Sequence, residues 1–335
     1  DINAENFENL LGNDSKFNAN KIIELFTGKD NVFLGQYAAS IATSASCNVM
    51  LGYCAGKNLT TGSCNIVIGN KAMACCTVTS NKNIVIGCLA GRNISSGGEN
   101  IIIGGNAGSG HSTGMGNIAI GDGAGSGNPE GHSFQVAIGQ GAGRNMRESS
   151  VAIGRLAGSY NCGNFNTFIG AKTASGCSTI NSPQTFGNTQ AIVGACAGYC
   201  IGTSQGNSLL GFEAGKCITS GSGNVFVGKY AGRSFCSGGV NIGIGFAAGC
   251  NGTTGGSNIA FGFQTQLPIA TGSCQLVIGR QSTYWITGNC DFNVGIGTTN
   301  PSSRLSVAGD ACVSGVITAT NFAKADGSSL GGFEQ

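Results

Sequence analysis

The stretch NIVIGNKAMACCTVTSNKNIVIGC, residues 65–88, contains one short motif twice, at residues 65–69 and again at residues 83–87. The closing glycine of this motif recurs at positions 35, 52, 69, 87, 104, 121, 139, 154, 170, 194, 211, 228, 245, 262, 279 and 297. The spacing of neighbouring copies is nearly constant and becomes irregular only between positions 139 and 194. A near-constant period over sixteen copies predicts a solenoid, a rod of stacked coils.

The cleanest copy is NVMLGYCAGKNLTTGSC, residues 48–64. Its second and fourth positions are branched and apolar in most copies, and we expect them to fill the coil interior. The third position faces the opposite way, yet it is apolar or small in every copy. A strand that is apolar on both faces predicts that the second face packs on another chain. Val67→Asp is therefore expected to disrupt assembly, and Thr61→Asp in an outer turn to be tolerated.

Asparagine opens twelve of the sixteen copies, and Gln135, Ser150, Gln190 and Gln275 open the others. Stacked amides hydrogen-bond to their own kind along a column, and asparagine tolerates the left-handed turn conformation. The opening asparagine and the closing glycine are therefore assigned as structural repeat residues. The clearest pairs are Asn48 and Gly52, Asn65 and Gly69, Asn83 and Gly87, Asn100 and Gly104, Asn117 and Gly121, Asn207 and Gly211, Asn224 and Gly228, Asn241 and Gly245, Asn258 and Gly262, and Asn293 and Gly297.

The predicted fold class is all-β, a parallel β-solenoid of about sixteen 17-residue coils in a homotrimer. Two strands of about five residues and two turns account for one coil, and sixteen coils make a rod of roughly 75 Å. Residues 1–30 are expected to form an N-terminal cap or joint, with a short helix or strand cap at 18–26. Residues 31–297 form the solenoid, and residues 298–335 a C-terminal β connector with strands at 304–307 and 312–318. The loop at residues 182–184 is either a binding loop or a tolerated bulge.

Composition limits the function classes. The chain has 335 residues, 60 of them glycine, with 41% hydrophobic and 10% charged residues, so it can bury a continuous core. The formal charge of +2 is spread thinly, which predicts neither nucleic-acid binding nor insertion into an anionic membrane. The sixteen cysteines lack zinc-site spacing. Cys47 and Cys64, and likewise Cys200 and Cys217, are one period apart and should stack; we expect reduced thiols, with a disulfide as the alternative.

No catalytic, cofactor-binding or metal-ligating residues are predicted. His111 and His132 lie on glycine-rich turns without a matched nucleophile, and Asp122 is isolated, which excludes a calcium-binding nonapeptide array. Tyr284 and Trp285 are candidates for stacking on a sugar, with a core or interface role as the alternative. The chain is therefore expected not to be an enzyme.

The repeats NIVIG-x-x-AG and SVAIG (residues 150–154) resemble the head repeats of trimeric autotransporter adhesins. The resemblance covers residues 31–297, although the coils here are longer than is usual in that family. It implies a left-handed parallel β-roll in which three chains associate.

The segment NVGIGTTNPSSRLSVAGDACVSGVITATNF, residues 293–322, is similar to segments of bacteriophage tail fibres and other virion appendages, especially those of marine cyanobacterial phages. In such proteins it often precedes a chaperone domain that is removed after trimerisation. Together the two resemblances imply a structural protein on the virion surface that attaches to the host. Its partners would be two further copies of itself, other virion proteins and a host-surface receptor, in particular a glycan.

Three alternatives remain. A bacterial trimeric adhesin on the cell surface would carry a secretion signal and a membrane anchor in the complete gene. An ice- or crystal-binding solenoid would need a flat, regular threonine array, whereas the Thr/Ser pairs here lie at glycine turns and vary. A depolymerase would need clustered carboxylates, whereas the 15 acidic residues are scattered.

Overall fold

The computed structural model describes residues 30–127, 131–159, 163–176 and 187–318. These residues form eighteen β-strands and no helix. The strands are β1 Val32–Leu34, β2 Val49–Leu51, β3 Ile66–Ile68, β4 Ile84–Ile86, β5 Ile101–Ile103, β6 Ile118–Ile120, β7 Val136–Ile138, β8 Val151–Ile153, β9 Thr167–Ile169, β10 Ala191–Val193, β11 Ser208–Leu210, β12 Val225–Val227, β13 Ile242–Ile244, β14 Ile259–Phe261, β15 Leu276–Arg280, β16 Thr283–Gly288, β17 Val294–Ile296 and β18 Leu305–Val307.

Strands β1 to β15 pair in order, each parallel to the next, through fourteen pairings. The register places each strand residue directly over its counterpart in the neighbouring coil, as Val67 lies between Met50 and Val85. The chain is thus a parallel β-solenoid of about fourteen turns, which confirms the predicted all-β solenoid class.

The coil holds fewer strand residues than predicted. In β1 to β14 each coil contributes one strand of three residues instead of two strands of about five. The second side of the coil is built from turns, and its only described ladder contact outside the named strands is the bridge between Leu59 and Val78. The physical reason is the density of glycine and of left-handed residues, which bend the backbone away from extended geometry.

The predicted inward and outward faces of the strand are reversed. The middle residue is buried in every strand from β1 to β14, whereas its neighbours are partly or fully exposed: Val67 is 0% exposed and Ile66 is 39% exposed. The opening asparagine explains this orientation. Asn65 is fully buried, and since side chains alternate along a strand, the residue two positions later points into the coil with it.

Three apolar columns fill the interior beside the asparagines. The first contains the middle strand residues, and the second contains alanines such as Ala55, Ala72 and Ala90. The third contains larger residues from the far turn, including Leu59, Val78, Ile94, Met146, Ile201, Ile218, Phe235 and Leu267.

Side-chain volume is balanced between neighbouring coils. Phe226 and Phe235 stack inside one coil with ring centroids 5.3 Å apart. The next coil has Gly243 and Gly252 at the matching positions, where an added Cβ would contact these two rings. The interior column therefore varies from glycine to phenylalanine because its size is matched from coil to coil.

Backbone conformation with positive φ occurs at fixed places in the coil. The glycine of the Ala-Gly pair that follows most of the parallel strands is left-handed, with φ of 54° at Gly56 and 52° at Gly91. The opening asparagines are not left-handed. That conformation falls on the residue before them, such as Cys64 (φ 59°), and on the second residue after the closing glycine, such as Lys71 (φ 52°).

The irregular part of the repeat keeps its register. The closing glycines of strands β7, β8, β9 and β10 are unequally spaced, with the longest interval between Gly170 and Gly194. These strands nevertheless pair in register as the regular coils do. Differences in coil length therefore lie between the strands and do not shift the register of the strands. The predicted loop at 182–184 lies outside the described residues.

The direction of strand pairing changes after β15. Strand β16 is antiparallel to β15, with an irregularity between Ile278 and Gly279, and β17 is antiparallel to β16. The last predicted copy of the repeat, which ends at Gly297, is thus separated from the parallel strands by the antiparallel strand β16. Strand β18 pairs parallel with β17 and matches the strand predicted at 304–307.

The strand predicted at 312–318 is wrong. Residues 311–318 form no strand, and Val316 is 92% exposed, because no described strand lies beside this segment to complete a ladder. The cap element at 18–26 lies outside the described residues. The division of the chain at residues 30 and 297 stays a prediction.

Candidate interaction surface

The opening asparagines form a continuous hydrogen-bonded column inside the coils. In the regular coils the backbone N–H donates to the side-chain oxygen in the coil before: Asn65 donates to Oδ1 of Asn48 at 2.9 Å, and Asn83 to Oδ1 of Asn65 at 3.0 Å. Asn293, which follows the antiparallel strand β16, lies outside this pattern, because its N–H donates to Oδ1 of Asn289 at 3.1 Å. The side-chain Nδ2 of Asn65 donates to Oδ1 of Asn48 at 3.1 Å and to the carbonyl of Ser80 at 2.9 Å. These amides hold the strand against the far turn, so their chemistry is structural.

The closing glycines permit the coils to stack closely. Gly52 has φ of 127°, and a Cβ at this position would lie 2.8 Å from the carbonyl oxygen of Gly69. The same crowding repeats at most of the other closing glycines. A side chain at this column is therefore excluded by the neighbouring backbone, and these glycines carry no chemistry of their own.

The outward face of the parallel sheet is apolar along its whole length. Each strand from β1 to β14 presents two outward residues on this face, one on either side of its buried middle residue, and β15 presents Leu276 and Ile278 on either side of the buried Val277. Of these thirty positions, all except Thr167 and Ser208 are apolar. Leu34 and Leu210 are each 51% exposed. We call this surface the strand face; it is a candidate for contact with another molecule.

Aromatic side chains line the corner beside the strand face in the later coils. Phe212, Tyr230, Phe246 and Phe263 follow one another, and we call this set the aromatic ladder. The ring centroids are 5.6 Å apart between Phe212 and Tyr230, 5.9 Å between Tyr230 and Phe246, and 5.2 Å between Phe246 and Phe263. Phe212 is 41% exposed and Phe263 is 46% exposed.

Basic side chains accompany the aromatic ladder. The Nζ of Lys229 lies 5.6 Å from the ring centre of Phe212 and 5.0 Å from that of Tyr230. The guanidinium of Arg233 lies 5.1 Å from the ring centre of Tyr230, and that of Arg280 lies 5.7 Å from the ring centre of Phe263. The corner thus presents exposed rings together with positive charge.

Sequence reasoning missed the aromatic ladder, although the signal is readable in the repeat. The residue directly after the closing glycine is small or polar in eight successive coils: Asn70, Cys88, Gly105, Asp122, Gln140, Arg155, Ala171 and Ala195. In the next five coils it is Phe212, Lys229, Phe246, Phe263 and Arg280. The expectation that charge is spread thinly is therefore incomplete, because basic residues gather at this corner.

The two histidines have different surroundings. His111 is 4% exposed and occupies the third interior column, between the coils of Ile94 and Met146. Burial lowers the pKa of His111 to about 4, with a smaller contribution in the same direction from the charge of His132. His132 lies in an outer turn, where its carbonyl oxygen accepts from Nδ2 of Asn117 at 3.0 Å. His111 is therefore a neutral core residue.

The remaining sequence candidates are dispersed. Trp285 on β16 is 65% exposed, whereas Tyr284 packs against the core. Asn58 and Asn251 each stand two residues before a threonine, the spacing of a glycosylation acceptor, and their Nδ2 groups donate to carbonyls of the next coil at 3.0 and 2.8 Å. Twelve of the described cysteines, among them Cys47 and Cys64, carry free thiols. In the described ranges no three His, Cys, Asp or Glu side chains gather as metal ligands. The same ranges contain no helix that would cross a membrane.

Comparison with known proteins does not assign the chain to a family. No protein-family profile matches the chain, and no solved structure matches it. A stretch of 32 residues is 62% identical to anthranilate phosphoribosyltransferase of Pelagibacter ubique (strain HTCC1062). That stretch covers 10% of this chain and 10% of the enzyme, so it carries no argument about activity.

Proposed function

We propose that this chain is a structural subunit of a virion fibre or related appendage, in which three copies associate through their strand faces into a rigid shaft or head. The observation that carries the proposal is the strand face, with twenty-eight apolar residues among its thirty outward positions. The assembly would present a host-binding surface at the outside of the particle, and its role would be mechanical, not catalytic.

The extent of the strand face supports association. The fourteen steps of the ladder, at about 4.8 Å each, give a face roughly 70 Å long. Monomeric proteins rarely expose an apolar patch larger than a few hundred Å². Three copies around one axis would cover all three faces and close the assembly. The left-handed sense implied by the adhesin resemblance, and the count of sixteen coils, belong to the same proposal.

The hydrogen-bonded columns support a mechanical role. Each coil is joined to the next by backbone hydrogen bonds on both sides of the strand, for example from Ile66 N–H to the carbonyl of Asn83 at 2.8 Å. The asparagine column adds side-chain bonds inside the same coils. A rod held at every coil resists bending and transmits force along its length.

The assignment to a virion is supported by the similarity of residues 293–322 to tail-fibre segments. Other virion proteins and a host-surface glycan would be its partners. The second candidate is a bacterial trimeric adhesin, favoured by the NIVIG repeats of the solenoid. The complete gene separates the two, because an outer-membrane anchor and a secretion signal would select the adhesin.

The native mass of the purified chain, measured by light scattering with and without reductant, tests the assembly. Three copies are expected under both conditions, because the association is attributed to apolar contact and not to disulfides. A single copy would remove the basis for the shaft. If three copies are found only without reductant, the association depends on the cysteines and not on the strand face.

A further inference from the structure

The residue directly after the closing glycine lies at the corner beside the strand face, and a small residue at this position does not disturb the fold. Gly105, Ala171 and Ala195 fill it in earlier coils without interrupting the strand register. In the later coils it carries Phe212, Phe246 and Phe263, which lie outside the coil interior. Exposed rings at a position that tolerates glycine point to a contact outside the coil.

The net charge of the later coils is positive. Between residues 187 and 280 the basic residues are Lys216, Lys229, Arg233 and Arg280, and the acidic residue is Glu213, which leaves a net charge of +3. Glu213 is itself paired, with Lys216 at 2.9 Å and Arg233 at 3.0 Å. Lys229 and Arg280 are exposed and lie over ring faces. A partner that complements this surface is anionic.

We propose that the aromatic ladder and its cations bind an acidic glycan, with sugar rings packed along the ladder and carboxylates directed to Lys229 and Arg280. The apolar C–H face of a pyranose packs on exposed aromatic rings, and guanidinium and ammonium groups pair with carboxylates. The ring centroids follow one another at 5.2 to 5.9 Å, comparable with the length of one pyranose unit. The inference rests on the proposed attachment role and names its ligand class.

A single-stranded nucleic acid also combines anionic charge with stacking surfaces, but the ring arrangement disfavours it. Phe246 and Phe263 stack on each other with an interplanar angle of 15°, which leaves no gap between them for a base. Tyr230 meets both of its neighbours edge to face, at 74° and 77°. The ladder thus offers a continuous ridge, which suits a row of sugars.

Titration calorimetry with hexagalacturonate, and with maltohexaose as the uncharged probe, tests the inference. Hexagalacturonate should bind and maltohexaose should not, and binding should weaken as salt is raised. The double variant Phe212→Ser/Phe263→Ser should bind roughly tenfold more weakly or worse. Lys229→Gln/Arg280→Gln should lose the preference for the acidic probe. Phe165→Ser is the matched control, because Phe165 is 58% exposed but lies outside the ladder.

Several outcomes would overturn the inference: no binding of hexagalacturonate, equal binding by the ladder variants and the control, or preferential binding of oligouridylate. A change of native mass in the ladder variants would make the ladder an assembly contact instead. Light scattering on the same samples separates the two proposals. Three copies without glycan binding reject the ladder alone, and one copy with glycan binding rejects the trimeric shaft alone.

Discussion

The buried amides are the residues on which the coil interior depends. Asn83 is fully buried, and its Oδ1 accepts from both the backbone N–H and Nδ2 of Asn100 at 3.0 Å. Its Nδ2 donates to Oδ1 of Asn65 at 3.0 Å and to the carbonyl of Gly97 at 3.1 Å. A polar side chain is stable inside an apolar coil only with such complete pairing.

Asn83→Ala should lower the free energy of unfolding by about 2–3 kcal/mol, because it leaves the buried N–H of Asn100 without its acceptor. Asn83→Ser should cost less. Ser150 occupies the same position, and its hydroxyl accepts from the N–H of Asn166 at 3.2 Å. Denaturant midpoints followed by circular dichroism measure both variants. Asn70→Ala, at an exposed position one coil earlier, is the control. Equal losses for the Ala and Ser variants would contradict the acceptor argument.

His111 makes stability depend on pH in one direction. Its folded pKa is about 4, lowered by burial, whereas the unfolded chain takes up the proton at the ordinary value of about 6.5. The unfolded state therefore binds more protons below pH 6.5, and stability falls between pH 6.5 and pH 4 by about 3 kcal/mol. Above pH 6.5 this residue has no effect.

Thermal unfolding of the wild-type chain and of His111→Leu, compared at pH 7 and pH 4.5, measures this contribution. The wild-type chain should lose more stability on acidification than the variant does. His132→Gln should keep most of the acid sensitivity, because burial is the larger cause of the shift at His111. Identical acid sensitivity of the wild-type and His111→Leu chains would show that other groups account for it.

At the scale of one strand and its turn, the closing glycine sets where the strand ends. Gly104 has φ of 133°, a conformation restricted to glycine, and an added Cβ would lie 2.6 Å from the carbonyl carbon of Gly121. The next residue, Gly105, has space: the nearest atom to its Cβ would be the movable Oδ1 of Asp122 at 3.0 Å.

Gly104→Ala should therefore destabilise the fold by about 3 kcal/mol or more, whereas Gly105→Ala should change stability by less than about 1 kcal/mol. The two substitutions add the same methyl group at adjacent positions, so each is the control for the other. Thermal melts of both variants decide the matter. Comparable loss at the two positions would mean that the tight stacking of the closing glycines does not limit the coil.

The sequence predicts the elements better than it predicts their faces. The period locates strands β1 to β15 and β17, because each coil repeats the same turn chemistry. The inward face was predicted wrongly, because the uniform branched residues suggested a core. The buried side chains are instead the variable ones, from Gly243 to Phe226, since their volumes are matched between coils. Asn65 lies two positions before Val67. Because side chains alternate along a strand, a buried Asn65 predicts that Val67 also points into the coil.

The candidate site was less accessible to sequence reasoning. The apolar strand face could be recognised because each strand is apolar on both of its sides. The prediction, however, assigned the inward and outward sides the wrong way round. The aromatic ladder was missed because Tyr230 is one position later in its coil than Phe212, Phe246 and Phe263 are in theirs. Only the stacking of coils brings Tyr230 into line with those rings. The formal charge of +2 for the whole chain also does not show that basic residues gather beside the aromatic ladder.

At the scale of the whole molecule, the reversed faces change which substitution tests assembly. Val67→Asp places a charge inside the coil and should prevent folding of the surrounding coils. Ile66→Asp places the charge on the strand face, so the chain should keep its β-sheet circular dichroism while its native mass falls towards one copy. Thr61→Asp, in an exposed outer turn, should retain both the fold and the mass.

Light scattering and circular dichroism on the three variants together separate folding from assembly. Several strand-face charges, such as Ile66→Asp with Ile153→Asp, strengthen the test if one charge is accommodated, since Ile153 is 36% exposed on the same face. An unchanged mass for this double variant would show that the strand face is not the contact between copies.

The preserved register across unequal intervals has a consequence for how such a rod changes over generations. Strands β7 to β10 stack in register although the intervals between their closing glycines differ in length. Each coil offers the same upper and lower edge, so a whole coil can be gained or lost without a new kind of joint. Every such event alters the reach of the molecule by about 4.8 Å. The length of the rod is therefore inherited as the number of coils, and it can change without any change in the residues of a single coil.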